Sequence, residues 1–193
     1  MTECVGRTLR VFRVAIRHNS QSVEPIDSEH YASVYGLDGE PVADHWRPVP
    51  VRVTNSLARH PSLGDDDLLW LAPHALVMRD WALEVLSVSL DGFGEFLELV
   101  DIDSGESLWL FNAYRRPALK AKASKVVLND CGQVAAIREH VFEVDQVAGV
   151  GAFRIAEVPH VFVSQDVVRA SHDAGLSGLT FPLVWDPIPL SSD

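Results

Sequence analysis

Between Asp80 and Tyr114 the chain carries eight carboxylates and no lysine, arginine or histidine. They are Asp80, Glu84, Asp91, Glu95, Glu98, Asp101, Asp103 and Glu106. The next segment, YRRPALKAKASK, brings Arg115, Arg116, Lys120, Lys122 and Lys125. Charge is therefore segregated along the sequence. On one reading the two blocks pair with each other, or solvate one face of a hairpin. On the other, the carboxylates form an acidic surface that captures a cationic partner and speeds its association. The partner-binding residues are then Asp91, Glu95, Glu98, Asp101, Asp103 and Glu106. Trp109 and Phe111 lie in the same stretch, as core residues or as an anchor beside that surface.

Other chemistry is sparse. DIDSGE resembles a calcium loop, but its glycine comes one place early and no bidentate Glu follows. Asp65, Asp66 and Asp67 read as the capped start of a helix rather than as a metal site. Eight histidines are scattered at 18, 30, 45, 60, 74, 140, 160 and 172, none four residues from another. His172 and Asp173 are adjacent, the weak signature of a metal phosphohydrolase. His74 and His160 each follow a proline and read as packing or hydrogen-bonding residues. The chain contains no G-x-S-x-G, no Walker-type loop and no G-x-G-x-x-G. Cys4 and Cys131 form no C-x-x-C pair, which fits a reducing compartment and gives no zinc motif. No catalytic residue, metal or cofactor is expected.

The totals narrow the classes further. A length of 193 residues suits one domain over 1–193, or two lobes of about 1–115 and 116–193. With 47% hydrophobic and 22% charged residues the composition is that of a globular chain. A net charge of -11 argues against nucleic acid and anionic lipid as partners. The longest apolar run, LLWLAPHALVM, is broken by Pro73 and His74 and is too short to span a bilayer. MTECVGRTLRVFRVAIRHN lacks the apolar core of a signal peptide. The expectation is a soluble, cytoplasmic protein.

The elements that position these residues follow from periodicity and turn chemistry. RTLRVFRVAIR (7–17) reads as an exposed or edge strand with interleaved arginines. A short helix is expected near SEHYASVYG, and VPVRVTN (49–55) alternates as a strand. ALVM (75–78) reads as a buried strand, followed by a helix from about Asp80 to before Gly92. EFLELVDI and SLWLFNAY flank a turn at Asp103, Ser104 and Gly105, the best hairpin in the chain. KVVLNDCGQVAAI (125–137) reads as a second hairpin, with a helix over QVAAIREHVF as the alternative. AFRIAEV is a further strand. HVFV (160–163) is a strand, Ser164 caps the next helix, and Gly175 ends it. GLTFPLVW then runs as a strand until Pro187 and Pro189.

PHALVMRD (73–80) and PHVFVSQD (159–166) agree at four of eight positions. Each opens a strand-helix-strand unit. Duplication of a half, or coincidence within a common unit, both explain this. The fold class expected is α+β, with mixed and antiparallel sheets, hairpins and two similar strand-helix-strand units.

The run FRIAEVPHVFVSQDVVRASHDAGLSGLTFPLVW resembles the end of a bacterial polymorphic-toxin immunity family, immunity family eleven, formerly a domain of unknown function. Members end in a strand carrying "lfvSe", a short helix and a closing "aGltGlrF" strand. ALVMRDWALEVL is similar to the family's middle strand-helix, and SLWLFNAYRRPALKAKASK to its "ylfNv…alD…S" segment. RVFRV is similar to its opening strand. Lys120 stands in place of the Asp of "alD", and Gln165 in place of a Glu. The resemblance implies a non-enzymatic, cytoplasmic binding protein that neutralises a cognate toxin. The acidic stretch adds that this toxin presents a basic face. The alternatives are a small metal-dependent hydrolase or phosphohydrolase built on His172 and Asp173, and a regulatory binding subunit.

Overall fold

Two larger sheets, each with one crossover helix, and two two-stranded ladders organise residues 9–55 and 64–187, the part of the chain that the computed structural model describes. The first third contains β1 (Val11–Arg13), β2 (Ala15–Ile16), β3 (Ser22–Pro25), α1 (Ser28–Tyr35) and β4 (Val49–Thr54). The middle holds β5 (Leu68–Leu69), β6 (Leu76–Met78), α2 (Asp80–Leu90), β7 (Gly94–Asp101) and β8 (Ser107–Ala113). Then come β9 (Lys125–Leu128), β10 (Val134–Glu139), α3 (Val144–Val147), β11 (Ala152–Arg154) and β12 (Val161–Ser164). The chain continues through α4 (Gln165–Asp173), β13 (Leu179–Thr180) and β14 (Leu183–Trp185).

Six strands form a mixed sheet in the order β3-β4-β7-β8-β6-β5, parallel only between β4 and β7. Four strands form an antiparallel sheet in the order β11-β12-β1-β14. The expected α+β class holds.

The similarity of the two strand-helix starts extends to topology. β8 is antiparallel to both β6 and β7, so β6 and β7 run the same way with α2 joining them. β1 is antiparallel to both β12 and β14, so those two also run the same way with α4 between them. Each unit is a β-α-β crossover split by one antiparallel strand. β5 flanks β6 and β11 flanks β12, both antiparallel. Thus β5-β6-β8-β7 and β11-β12-β1-β14 match in order and direction. The splitting strand differs in origin: β8 follows its crossover, whereas β1 comes from the other end of the chain.

Period-2 alternation divides each sheet between two cores. Leu76 and Met78 of β6 and Val161 and Val163 of β12 enter a shared central cluster. Val77 and Phe162, between them in the sequence, point to separate outer clusters. α2 adds Ala82, Leu86 and Leu90 to the central cluster, and α4 adds Val167. The i, i+4, i+8 spacing in α2 places its three residues on one stripe. Full burial of Leu86 stabilises the fold by about 1.5–3 kcal/mol. The two helices pack against each other, and the central cluster joins the two sheets.

Caps fix the helix ends. The Asp27 carboxylate accepts from the N–H groups of Glu29 and His30, and Ser164 Oγ accepts from Val167 N–H, as its position foretold. Gly175, at φ 68°, ends α4. Gly178 sits at φ 103°, and a Cβ there would lie 1.8 Å from the Leu68 carbonyl oxygen. Its lack of a side chain lets the segment after α4 press against β5, where Leu68 N–H donates to Ser177 O at 3.0 Å.

Three expectations are corrected. The 7–17 strand is not an edge: β1 lies between β12 and β14, and Arg13 shares the outer face of β1 with buried Val11. Asp65, Asp66 and Asp67 start no helix; they precede β5 and are held by Gln21 and Ser177. GLTFPLVW is two strands, because Pro182 lacks an N–H and the chain changes partner from β2 to β1 there. The second hairpin forms as β9–β10 with Gly132 at φ 76°, so its helix alternative does not occur. The chain does not divide cleanly near residue 115, since β1 belongs to the sheet of β11, β12 and β14. Cys4, His60 and Pro189 lie outside the described residues.

Candidate functional site

The β7–β8 hairpin places five of the six carboxylates, Asp91 lying at the end of α2, and internal hydrogen bonds or ion pairs occupy those five. Glu95 is half-buried. It accepts from Val42 N–H at 2.7 Å, Ala43 N–H at 3.0 Å and Asn112 Nδ2 at 2.9 Å. It thereby satisfies the exposed N–H groups that open the 3-10 turn Ala43–His45. Glu98 accepts from Ser107 Oγ at 2.7 Å and faces Trp109 across the ladder.

Asp101 is buried and closes the hairpin turn. Ser104 Oγ donates to it at 2.6 Å, and the N–H groups of Val53, Asp103 and Ser104 donate at 3.3–3.4 Å. Burial pushes its carboxyl pKa up, but these four donors outweigh burial and hold it below the usual carboxylate range. Asp103 meets Arg52 Nε at 3.0 Å with both side chains more than half exposed, an ion pair worth at most about 1 kcal/mol. Glu106 pairs with Arg79, whose Nε also donates to the Asp66 carbonyl. Of the six, Asp91 alone is exposed and unbonded among the described residues.

The basic block does not answer the acidic one. Arg115 pairs with Asp38 at 3.2 Å, Lys120 with Glu143 at 2.8 Å, and Lys125 with Glu139. Arg116 lies over the Phe93 ring, 5.9 Å from its centroid. Arg115, Lys120 and Lys125 are thus neutralised by neighbours in space rather than by the acidic stretch before them.

Within the acidic stretch, the carboxylates without a partner among the described residues are Glu84 on α2 and Asp91 just after it. The buried stripe of α2 is Ala82, Leu86 and Leu90, so Trp81, Glu84 and Val88 fall on the opposite face. Trp81 is 52% exposed and Val88 86% exposed. Glu84 and Asp91 carry no partner among the described residues, and α2 has no basic side chain in its last turn. Asp80 accepts from Trp109 Nε1 at 2.8 Å, which ties the helix start to β8 and fixes the indole at the edge of this face. Phe111 is core, whereas Trp109 is half-buried. The α2 face was legible only as a helix with apolar residues; which of them faced water depended on where the second sheet sits.

His172 and Asp173 are neighbours on the surface, with Nδ1 3.5 Å from the carboxylate and side chains 88% and 68% exposed. No cluster of three or more His, Cys, Asp or Glu suited to a metal occurs among the described residues. Cys131 is exposed in the β9–β10 turn. No helix among the described residues is long and apolar enough to cross a membrane.

No family model matches the chain, and no curated protein matches it.

Proposed function

We propose that the chain is a non-enzymatic bacterial immunity protein that binds a cognate toxin in the cytoplasm and holds it inactive. The observation that carries the reading is the exposed face of α2. Trp81 and Val88 supply apolar contact, and Glu84 and Asp91 supply uncommitted negative charge beside it. An aromatic anchor rimmed by like charges suits a partner with a basic face. The overall charge of -11 acts in the same direction on encounter. The C-terminal resemblance to immunity family eleven supports the class of partner. Its residues build β12, α4, β13 and β14, with Gly178 at the close approach to β5.

This placement moves the partner surface from the hairpin to the helix beside it. Glu95, Glu98, Asp101 and Glu106 hold the scaffold, while Asp91 stays in the contact set. The test is co-expression with the product of the adjacent open reading frame. The expected result is a stable complex and rescued growth, with rescue lost in the double variant Glu84→Lys, Asp91→Lys. A neighbour that is neither toxic nor retained would refute the reading.

A further inference from the structure

The outer face of the four-stranded sheet gathers three nitrogen-rich side chains that no carboxylate answers among the described residues. Arg13 of β1 stands opposite Phe162 of β12 in the antiparallel register, so both side chains leave the same face. His140, just after β10, sets its ring edge-on to Phe162 at 5.5 Å and stacks on Phe142 at 5.7 Å. His160, just before β12, lies 6.3 Å from the same Phe162 ring. Arg13 Nε and His160 Nδ1 are sealed from solvent, and neither meets a hydrogen-bond partner among the described residues. All three residues are half-buried, so the cluster borders the surface.

Like charge compounds the burial. Burial first, then Arg13, lowers the pKa of His140. Burial, then Arg13, then His140 bring His160 down to about 4. Neither shift has a carboxylate among its causes. Glu139, beside His140 in the chain, is taken by Lys125, and Asp186, after β14, is taken by Arg10. Glu143, after His140, is taken by Lys120; Arg17, Arg138 and Glu157 also lie close in the chain to these segments, and Trp185 of β14 presents its ring to Phe142. A sealed donor without an acceptor is rare in folded proteins, and a bound ion is one ordinary reason for it.

We propose that Arg13, His140 and His160 form a binding site for a small oxyanion of the carboxylate or phosphate class, loaded together with protons on the imidazoles. The guanidinium offers a planar fork of donors that matches such an anion, and each imidazolium adds two more donors. A metal cation is disfavoured because a guanidinium offers only donors and no lone pair to a metal. A nucleic-acid backbone is disfavoured by the net charge of -11. The site lies on the outer face, away from the exposed stripe of α2, and does not depend on the toxin reading.

Sulfate is the first probe, because its charge is constant between pH 5.5 and 7.5, and acetate is the planar counterpart. Calorimetric titration of the full chain is expected to give saturable one-to-one binding by at least one of them. Affinity is expected to rise about tenfold from pH 7.5 to 5.5, with a heat that depends on the buffer as protons are taken up. Arg13→Gln is expected to weaken binding by about tenfold to a hundredfold, the loss of a charged hydrogen-bonding group. His160→Gln keeps a donor and removes its share of the proton uptake. Imidazole NMR on the unaltered protein avoids any folding defect in the variants: the anion must raise the His160 pKa from about 4. Absence of saturation with both probes, an unmoved His160 titration, or affinity indifferent to pH would overturn the proposal.

Discussion

Replacing Glu95 by Ala separates a scaffold carboxylate from a contact carboxylate. Glu95 receives Val42 N–H, Ala43 N–H and Asn112 Nδ2 at 2.7, 3.0 and 2.9 Å. A hydrogen bond to a charged acceptor contributes about 1.5–3 kcal/mol when sheltered. Ala43 is exposed, so water replaces that bond at little cost. The Val42 and Asn112 bonds are partly sheltered, and half-exposure of the carboxylate roughly halves their worth. The expected destabilisation is about 2 kcal/mol, and about 1 kcal/mol for Glu95→Gln, which retains one acceptor. With a urea m-value of about 2.5 kcal/mol/M, the midpoint of unfolding moves down by about 0.8 M for Ala. Affinity of the folded fraction for the proposed partner should stay within about twofold. An unchanged midpoint together with a tenfold loss of affinity would refute the reasoning and return Glu95 to the partner surface.

Gly178→Ala forces a side chain into φ 103° and against the Leu68 carbonyl; a loss of about 3 kcal/mol or more is expected, seen as a melting temperature lowered by about 6–12 °C. Leu86→Ala opens a cavity where the two helices meet and should cost about 2–5 kcal/mol by the same assay, whereas Val88→Ala on the opposite side should cost almost nothing. Acid lowers stability for a stated reason. His74, His140 and His160 are all held below the ordinary histidine value, by burial first, so the unfolded chain takes up protons that the folded chain refuses. Their contribution is complete above about pH 6.5 and falls as pH drops toward 4. Urea midpoints measured from pH 8 to 4.5 should be level down to about 6.5 and then decline; a rise on acidification would contradict it.

Local rules made most elements readable. Alternation in EFLELVDI and SLWLFNAY, the turn at Gly105, the Ser164 cap and Gly175 each act within a few residues, and each is where the sequence placed it. What failed depended on contacts distant in sequence. Asp65 to Asp67 look like a helix start because capping chemistry is local, yet Gln21 and Ser177 claim those carboxylates from 44 and 110 residues away. The arginines of 7–17 suggested an edge strand, and only the arrival of β12 and β14 on both sides makes β1 internal. The acidic stretch was visible as composition, but its division into scaffold and free charge was not. That division depends on Val42, Arg79 and Arg52, which come from outside the stretch. The His140–His160–Arg13 cluster was invisible for the same reason, its members being spread over three elements.

The most direct test of the binding reading is the affinity of the adjacent-frame protein for this chain across a salt series, with the Glu84→Lys, Asp91→Lys variant beside the unaltered chain. The expected result is tight binding that weakens as salt rises, and a variant whose association slows by tenfold or more with a flattened salt dependence. Trp81→Ala should act on dissociation instead. Equal affinity and equal salt dependence for variant and unaltered chain would contradict the α2 face as the site of capture.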